Sequence, residues 1–352
     1  MKAPLPTSGF QYWNRGDILK QILKITFIIM GAAVILLSSY LLYNAISEKS
    51  LGKNTRVVIV FKTMDKSVQF WQVVRAGIEA ASREFDVKTE ITGPQDESDV
   101  DDQIRILEQI IDTKPSAIVM AAIDYNKLVP VAEKIKKNGI KLITIDSAIN
   151  SDISPSFIAT DNNEAGRKSG QELSNLIARN TKVIIISHVK GTTTAIEREA
   201  GVRAGLSANL PKELIGETYF CNGSPQKAYE IVTEMLTKEK DIGGVIGLNE
   251  PSTLGAARAI KEMGLAGKVK LVGFDSSIEE IKLIEEGTMQ ATAVQKPFNM
   301  GYLGVETAVK LLKGEKVQSH INTGSELITK DNMFTPENQK LLFPFVDESY
   351  SK

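Results

Sequence analysis

Cysteine is almost missing from this chain. Cys221 stands alone among 352 residues, which excludes an internal disulfide framework and any zinc site built on several thiolates. Histidine is scarce as well: His188 and His320 are too few for a His-based metal centre and give a Ser-His-Asp hydrolase only two candidate bases. No metal and no cofactor is expected. An excess of one charge is also lacking, since 42 Lys and Arg face 43 Asp and Glu, so no basic surplus points to nucleic acid. Nucleotide-handling loops are absent too. No Gly-x-Gly-x-x-Gly follows a strand pattern, Gly243-Gly244 precedes a strand and has no Lys-Ser/Thr partner, and no Ser sits in a Gly-x-Ser-x-Gly elbow. What remains is 42% hydrophobic and 24% charged, the composition of a folded soluble protein long enough for about two domains.

One stretch breaks that average. Ile25 to Tyr43 carries no charge over 19 positions, about 28 Å of helix at ~1.5 Å per residue, close to a bilayer core of roughly 30 Å. Lys2, Arg15, Lys20 and Lys24 against Asp17 make the preceding segment positive, which places residues 1–24 in the cytoplasm and the rest outside. A buried core helix would show polar punctuation at helical spacing, and this run shows almost none. A cleaved signal peptide fits poorly, because some two dozen residues precede the run and its exit, YNAISEKS, lacks a small-x-small site. No cysteine follows to accept a lipid. The expectation is a single-pass cell-membrane protein: a short cytoplasmic tail (1–24), a transmembrane anchor in the lipid bilayer (25–43), a polar linker (44–55) and an extracellular or periplasmic body.

From Arg56 onward, short β-branched runs alternate with longer amphipathic stretches. Strands are expected at 57–61, 87–92, 117–123, 141–146, 183–187, near 214–220, at 243–248, 270–275 and 291–295. Helices are expected at 70–85, 101–112, near 126–138, and at 163–179, 194–209, 225–238, 252–263 and 277–286. Continuously apolar strands between amphipathic helices imply parallel sheets covered on both faces. The plan restarts near Ile158, so two similar α/β lobes are expected rather than one open sheet.

In open α/β sheets ligands sit beyond the carboxyl ends of the strands. The polar residues closing the strands are Lys62 and Thr63, Asp146, His188, Asn249, Asp275 and Gln295. Two carboxylates, an amide pair and a nearby Arg can exchange hydrogen bonds with several hydroxyls, the chemistry of a sugar. Any one strand-end Asp or Asn serves equally well as a helix cap. So many strands ending this way favour a shared site.

These residues lie within a series of motifs that resembles the type I periplasmic sugar-binding proteins, the ribose-binding group in particular, over 56 to about 330. Phe70-Trp71 with Gly77 resembles the aromatic pair opening the family's first helix. TIDS (144–147), FIATDN (157–162), KGTTTAIEREAG (190–201), GLNEPSTLGAARAI (247–260), VGFDSS (272–277), ATAVQKP (291–297) and GVETAVKLLKGEKV (304–317) follow in order. The resemblance implies two Rossmann-like three-layer lobes joined by a hinge, the first comprising 56–159 with 297–324 and the second 160–296 with 325–352. It also implies that Phe70 and Trp71 flank the apolar face of a sugar ring. Adjacent aromatics do not point the same way, so one of them is a candidate for the core. Asp146 and Arg198 become charged partners from opposite lobes; the alternative for Arg198 is a surface charge paired with Glu197 or Glu199. Asn249, Asp275 and Gln295 complete the set. A buried Asp275 is expected to be satisfied by ligand or by Arg.

Departures from the family pattern widen the ligand class. Ser147 stands where many ribose binders place Arg, and the second lobe offers only Phe220 near the usual aromatic position. Lys62 is a candidate to replace the lost charge. Pentoses, hexoses and inositol-like polyols all stay open. The partners implied are a monosaccharide and either an ABC-type permease or a sensor histidine kinase. No enzyme is expected; the alternatives are glycoside chemistry by Asp146 and Asp275 or a sugar-responsive repressor core, and the latter lacks a helix-turn-helix ahead of it.

Overall fold

The computed structural model describes residues 15–47 and 55–343. The expected tail before residue 15, most of the linker and the last stretch of the second lobe (344–352) lie outside the described residues. The chain divides into two compact units, 1–50 and 51–352. In the first unit, α1 (Arg15–Ser47) is one uninterrupted helix. Its window Leu23–Tyr40 is long and apolar enough to cross a membrane, and none of it is buried. A core helix would be covered, so that reading falls, while a membrane anchor and a signal sequence both fit.

The second unit holds two six-stranded sheets. One contains β1 (Arg56–Val60), β2 (Lys88–Thr92), β3 (Ala117–Met120), β4 (Lys141–Ile145), β5 (Phe157–Ala159) and β11 (His320–Asn322), ordered β11-β5-β4-β3-β1-β2. The other contains β6 (Lys182–Ser187), β7 (Ile215–Phe220), β8 (Ile242–Gly247), β9 (Lys270–Phe274), β10 (Ala291–Gln295) and β12 (Ser325–Thr329), ordered β12-β10-β9-β8-β6-β7. The two orders are the same doubly wound plan used twice. Every pairing is parallel except β10 with β12. Central strands such as β1, β3 and β4 are buried along nearly their whole length, because helices cover both sheet faces.

The chain passes between the sheets three times: from β5 to β6, from β10 to β11, and from β11 to β12. The first two passages run through α5 (Asn162–Leu176) and α10 (Pro297–Lys313). Close helix packing fixes both. A Cβ on Gly77 of α2 (Gln69–Glu84) would lie 2.0 Å from Phe298 O, and one on Gly301 would lie 2.1 Å from Val74 O. In the second lobe α5 meets α6 (Thr193–Leu206) through Gly166 and Gly170 on one side and Gly201 and Gly205 on the other, each spaced four apart.

Remaining helices are α3 (Val100–Asp112), α4 (Val129–Lys137), α7 (Pro225–Lys238), α8 (Glu250–Glu262), α9 (Ile278–Glu286) and α11 (Pro336–Leu342). The strand expected at 117–123 ends at Met120, and three helix boundaries move for local reasons. α4 begins at Val129 rather than near 126, because Asp124 Oδ1 accepts from the Asn126 and Lys127 N–H groups and holds a turn there. α5 stops at Leu176, where Ile177 turns extended. α6 stops at Leu206, and 207–210 closes with turn hydrogen bonds ahead of Pro211.

Candidate functional site

Two strand ends share an unusual backbone. Asp146, after β4, has φ 58°, and Asp275, after β9, has φ 80°. Left-handed φ at a residue with a Cβ costs energy and is tolerated best by Asp and Asn; such strain marks places where a side chain must be aimed. The two aspartates occupy the same position in the two lobes. Both reach a narrow cleft between them, lined also by Lys62, Phe70, Trp71, Glu97, His188, Arg198, Asn249 and Gln295. Lys62, Phe70, Trp71, Asp146, Arg198, Asn249, Asp275 and Gln295, the eight residues expected to bind ligand, therefore come together. A larger, mainly apolar groove lies beside it, along Phe70, Phe298 and Leu341, but Lys62, Asp146 and Arg198 do not line it. The groove shares Phe70, Asp275 and Gln295 with the cleft, but charged groups of both lobes meet only in the cleft.

In the first lobe, Lys62 Nζ lies 2.7 Å from Asp146 Oδ2 and 3.8 Å from Glu97 Oε1. Lys62 is 2% exposed and is not a solvated lysine at a strand end. Burial raises the Glu97 carboxyl above its ordinary range, and the Lys62 charge opposes that rise. Trp71 is the core member of the aromatic pair: it is buried, 4.7 Å from the Phe61 ring, and edge-on to Phe70 at 5.0 Å. It still forms part of the cleft wall, and Phe70 is the more open of the two. Thr63 does not reach the cleft, because its hydroxyl donates to Gln95 O and accepts from Asp65 N.

In the second lobe, the glycine-mediated approach of α5 and α6 brings Arg198 Nε to 2.8 Å from Asn162 Oδ1. Its Nη1 donates to Leu248 O at 2.7 Å, and the guanidinium lies 4.7 Å from the Phe274 ring centre. Arg198 is buried, whereas Glu199 pairs with Arg203, so the surface-pair reading of Arg198 fails. Asn249 caps α8, with Oδ1 accepting from Ser252 N, and lines the cleft as well. Capping and cleft lining prove compatible in one residue.

Asp275 takes its protein hydrogen bonds from groups other than arginine. Gln295 Nε2 donates to Oδ1 at 2.7 Å and the Glu250 N–H donates to Oδ2 at 3.1 Å. Burial is the largest cause of its raised pKa, with the Arg198 charge and these donors pulling the other way. Gln295 Oε1 is left buried without a partner. His188 accepts or donates through Nε2 with Thr194 and Thr192, and its Nδ1 is likewise unpartnered. Burial, then the Lys62 and Arg198 charges, hold its pKa well below the ordinary value, so it is neutral. Cys221 belongs to the second-lobe core, and Phe220 is not among the cleft residues.

Glu97 was not among the residues read from the sequence. It lies five positions beyond the end of β2 in an acidic stretch, PQDESDVDD, that reads as a solvated helix start. Among the described residues no cluster of His, Cys, Asp and Glu fits a metal ion. The lobes meet across the cleft: Lys62 Nζ donates to Thr194 Oγ1 at 3.3 Å, Ala148 N to Thr193 Oγ1 at 3.0 Å, and Tyr125 N to Gly191 O at 2.9 Å. This is a closed arrangement. It surrounds whatever lies within by charged and amide groups from both sides and an aromatic wall.

The D-ribose/D-allose-binding protein of Pseudomonas aeruginosa is 31% identical over 313 residues, covering 85% of this chain and 96% of its own. A sugar transporter from Clostridium phytofermentans, of known crystal structure, is 44% identical with a TM-score of 0.74, covering 79% of this chain and 100% of its own. A carbohydrate transporter solute-binding protein from Agrobacterium radiobacter, solved with D-arabinose, is 31% identical with a TM-score of 0.79 and covers 83% and 100%. Residues 57–316 match the family model described as the periplasmic binding protein domain. With its two-lobe α/β fold and parallel sheets, the chain belongs to the type I periplasmic sugar-binding protein family.

Proposed function

We propose that the protein binds one monosaccharide between its lobes, outside the cytoplasm, and presents the closed, loaded form to a membrane partner. The observation that carries this reading is the convergence of Lys62, Asp146, Arg198, Asn249, Asp275 and Gln295 beside Phe70 and Trp71 in one cleft. Carboxylates and amides exchange hydrogen bonds with hydroxyls, and the aromatic wall covers the apolar C–H face of a ring. The unpartnered Gln295 Oε1 can accept from a sugar hydroxyl, and His188 Nδ1 can accept from one or donate to one according to its tautomer. Relatives described as binding ribose or allose, and one solved with D-arabinose, support a pentose or hexose as ligand. No step of the arrangement calls for turnover. Asp146 and Asp275 are both engaged with protein donors, which suits binding better than glycoside cleavage.

Residues 25–43 serve in this reading as an uncleaved anchor in the bilayer, with the N-terminus cytoplasmic. The partner is an ABC-type permease, for uptake, or a sensor histidine kinase, for sensing. The absence of a lipid-accepting cysteine after the apolar run leans towards sensing. After a carbonate wash of bacterial membranes, the full chain should remain bound and still begin at Met1. A mature start near Ile46 would instead make the run a signal peptide.

Binding itself is tested by melting a soluble fragment from Thr55 onward with D-ribose, D-allose, D-arabinose, D-fucose and myo-inositol. A ligand that binds only the folded state adds RT ln(1 + [L]/Kd) to its stability, so at least one sugar should raise Tm. A panel with no shift would remove the sugar reading.

A further inference from the structure

Helix α2 lacks a cap of its own. Val68 precedes it, a residue with no side-chain acceptor, and no side-chain hydrogen bond from that position closes the helix start. The first N–H groups of a helix have no intrahelical partner and need one. Here the partner comes from the other lobe. Glu250, first residue of α8, places Oε1 3.3 Å from Gln69 N and Oε2 3.4 Å from Phe70 N. The favour is returned: Gln69 Oε1 accepts from the N–H of Ile278, first residue of α9, at 3.1 Å. Each lobe thus completes the start of a helix in the other.

The same Glu250 reaches the cleft by its backbone. Its N–H donates to Asp275 Oδ2, while its carboxylate holds the N–H of Phe70, whose ring forms the cleft wall. A single residue therefore joins the second lobe's aspartate to the first lobe's aromatic wall. When the lobes part, the carboxylate leaves the α2 start, and Gln69 and Phe70 lose their acceptor. The cost of opening is set partly by these bonds.

We infer that Glu250 and Gln69 form a reciprocal capping latch that positions the Phe70 helix and biases the protein towards its closed form. Glu250 is a positioning residue, not a ligand contact. The latch goes beyond the proposed sugar binding, because it is engaged by closure alone and can be read without sugar.

The test uses the full chain in detergent, with spin labels on the exposed Lys137→Cys in the first lobe and Lys227→Cys in the second. Cys221 is buried and is not a labelling site. Interlobe distances are recorded ligand-free and with D-ribose or D-allose. Wild type should populate the short distance of this structure. Glu250→Ala should lower the ratio of closed to open about tenfold, which is ~1.4 kcal/mol and within the range of two modest hydrogen bonds. Gln69→Ala should lower it about threefold. Glu250→Gln keeps an acceptor oxygen and should restore most of the closed population, a rescue that a merely structural role would not show. Glu250→Ala closing as wild type does, or a wild type that never populates the short distance in either condition, overturns the latch. A wild type whose distances ignore both sugars while its ligand-free closure depends on Glu250 supports the latch and counts against the sugar reading.

Discussion

The two lobes use one backbone device and satisfy it differently. Both end a central strand in an aspartate with left-handed φ, and both aim that carboxylate at the cleft. In the first lobe Asp146 is held by a full charge, Lys62 at 2.7 Å. In the second, Asp275 is held by neutral donors, the Gln295 amide and the Glu250 N–H, while Arg198 is held by Asn162 and a backbone carbonyl. Removing a partner from a buried ion pair strands a charge; removing a neutral donor does not. The first lobe's polar site should therefore be coupled mainly to stability, and the second lobe's mainly to affinity.

Lys62→Met breaks the comparison most severely. It leaves Asp146 and Glu97 buried together without their cation, and should destabilise the protein by about 3–5 kcal/mol in chemical denaturation. A Lys62→Met/Asp146→Leu double variant should recover much of that stability without recovering sugar binding. If Lys62→Met unfolds at the wild-type denaturant midpoint, the ion pair is not what holds the first lobe's site.

Asp275→Ala should behave in the opposite way. Affinity for the sugar selected by thermal shift should fall by about 2–5 kcal/mol, the scale of a broken buried charge contact, with a much smaller change in unfolding. Calorimetric titration beside a denaturant melt separates the two. A loss of stability without loss of affinity would reverse the assignment of roles between the lobes.

Phe70→Ala comes next, with a loss of about 1–3 kcal/mol in affinity for one lost stacking surface. Trp71→Ala is a different experiment. Its ring is packed on Phe61 in the core, so truncation should cost about 3–5 kcal/mol of stability as well.

The last effect is a pH dependence. Burial and the neighbouring Asp275 charge push the Glu250 carboxyl up to about 7, against an ordinary 4.5, while the Gln69 and Phe70 N–H groups pull it down and Glu279 adds to the rise. Between those values the folded protein holds a proton that the unfolded chain has released, so stability falls as pH rises through the window. Glu280, buried beside it, is shifted in the same direction. Glu250→Gln removes one of these groups, so its Tm relative to wild type should climb from pH 5 to about 7 and level off above. A constant difference across that range would show that Glu250 does not titrate there.

Much of this was legible in the sequence, for identifiable reasons. Strands such as VVIVF and KLITID are buried on both faces and so read as unbroken β-branched runs, each with its polar terminator. That pattern located Lys62, Asp146, Asn249, Asp275 and Gln295. Beyond Gln295 it failed. β11 is three residues, His-Ile-Asn, and β12 pairs antiparallel at a sheet edge, so neither has the apolar run of a central strand. Glu97 and Glu250 escaped because their roles come from tertiary contact: one lies in an acidic loop and the other reads as an ordinary first-turn helix carboxylate. The protein donors to Asp275 were not legible for the same reason. A backbone N–H donor has no signature in sequence. The paired glycines of α5 and α6, spaced four apart at 166 and 170 and at 201 and 205, were a visible signal for the close approach that buries Arg198.

The central claim is that a monosaccharide is held by both lobes at once. Small-angle scattering of the soluble fragment, with and without the sugar that raises its Tm, tests this most directly. The account predicts that the radius of gyration shrinks on binding in wild type, and that Asp275→Ala, at the same sugar concentration, stays at the ligand-free value. A wild type that binds the sugar with no change in radius of gyration, beside an Asp275→Ala variant that binds equally well, would contradict it.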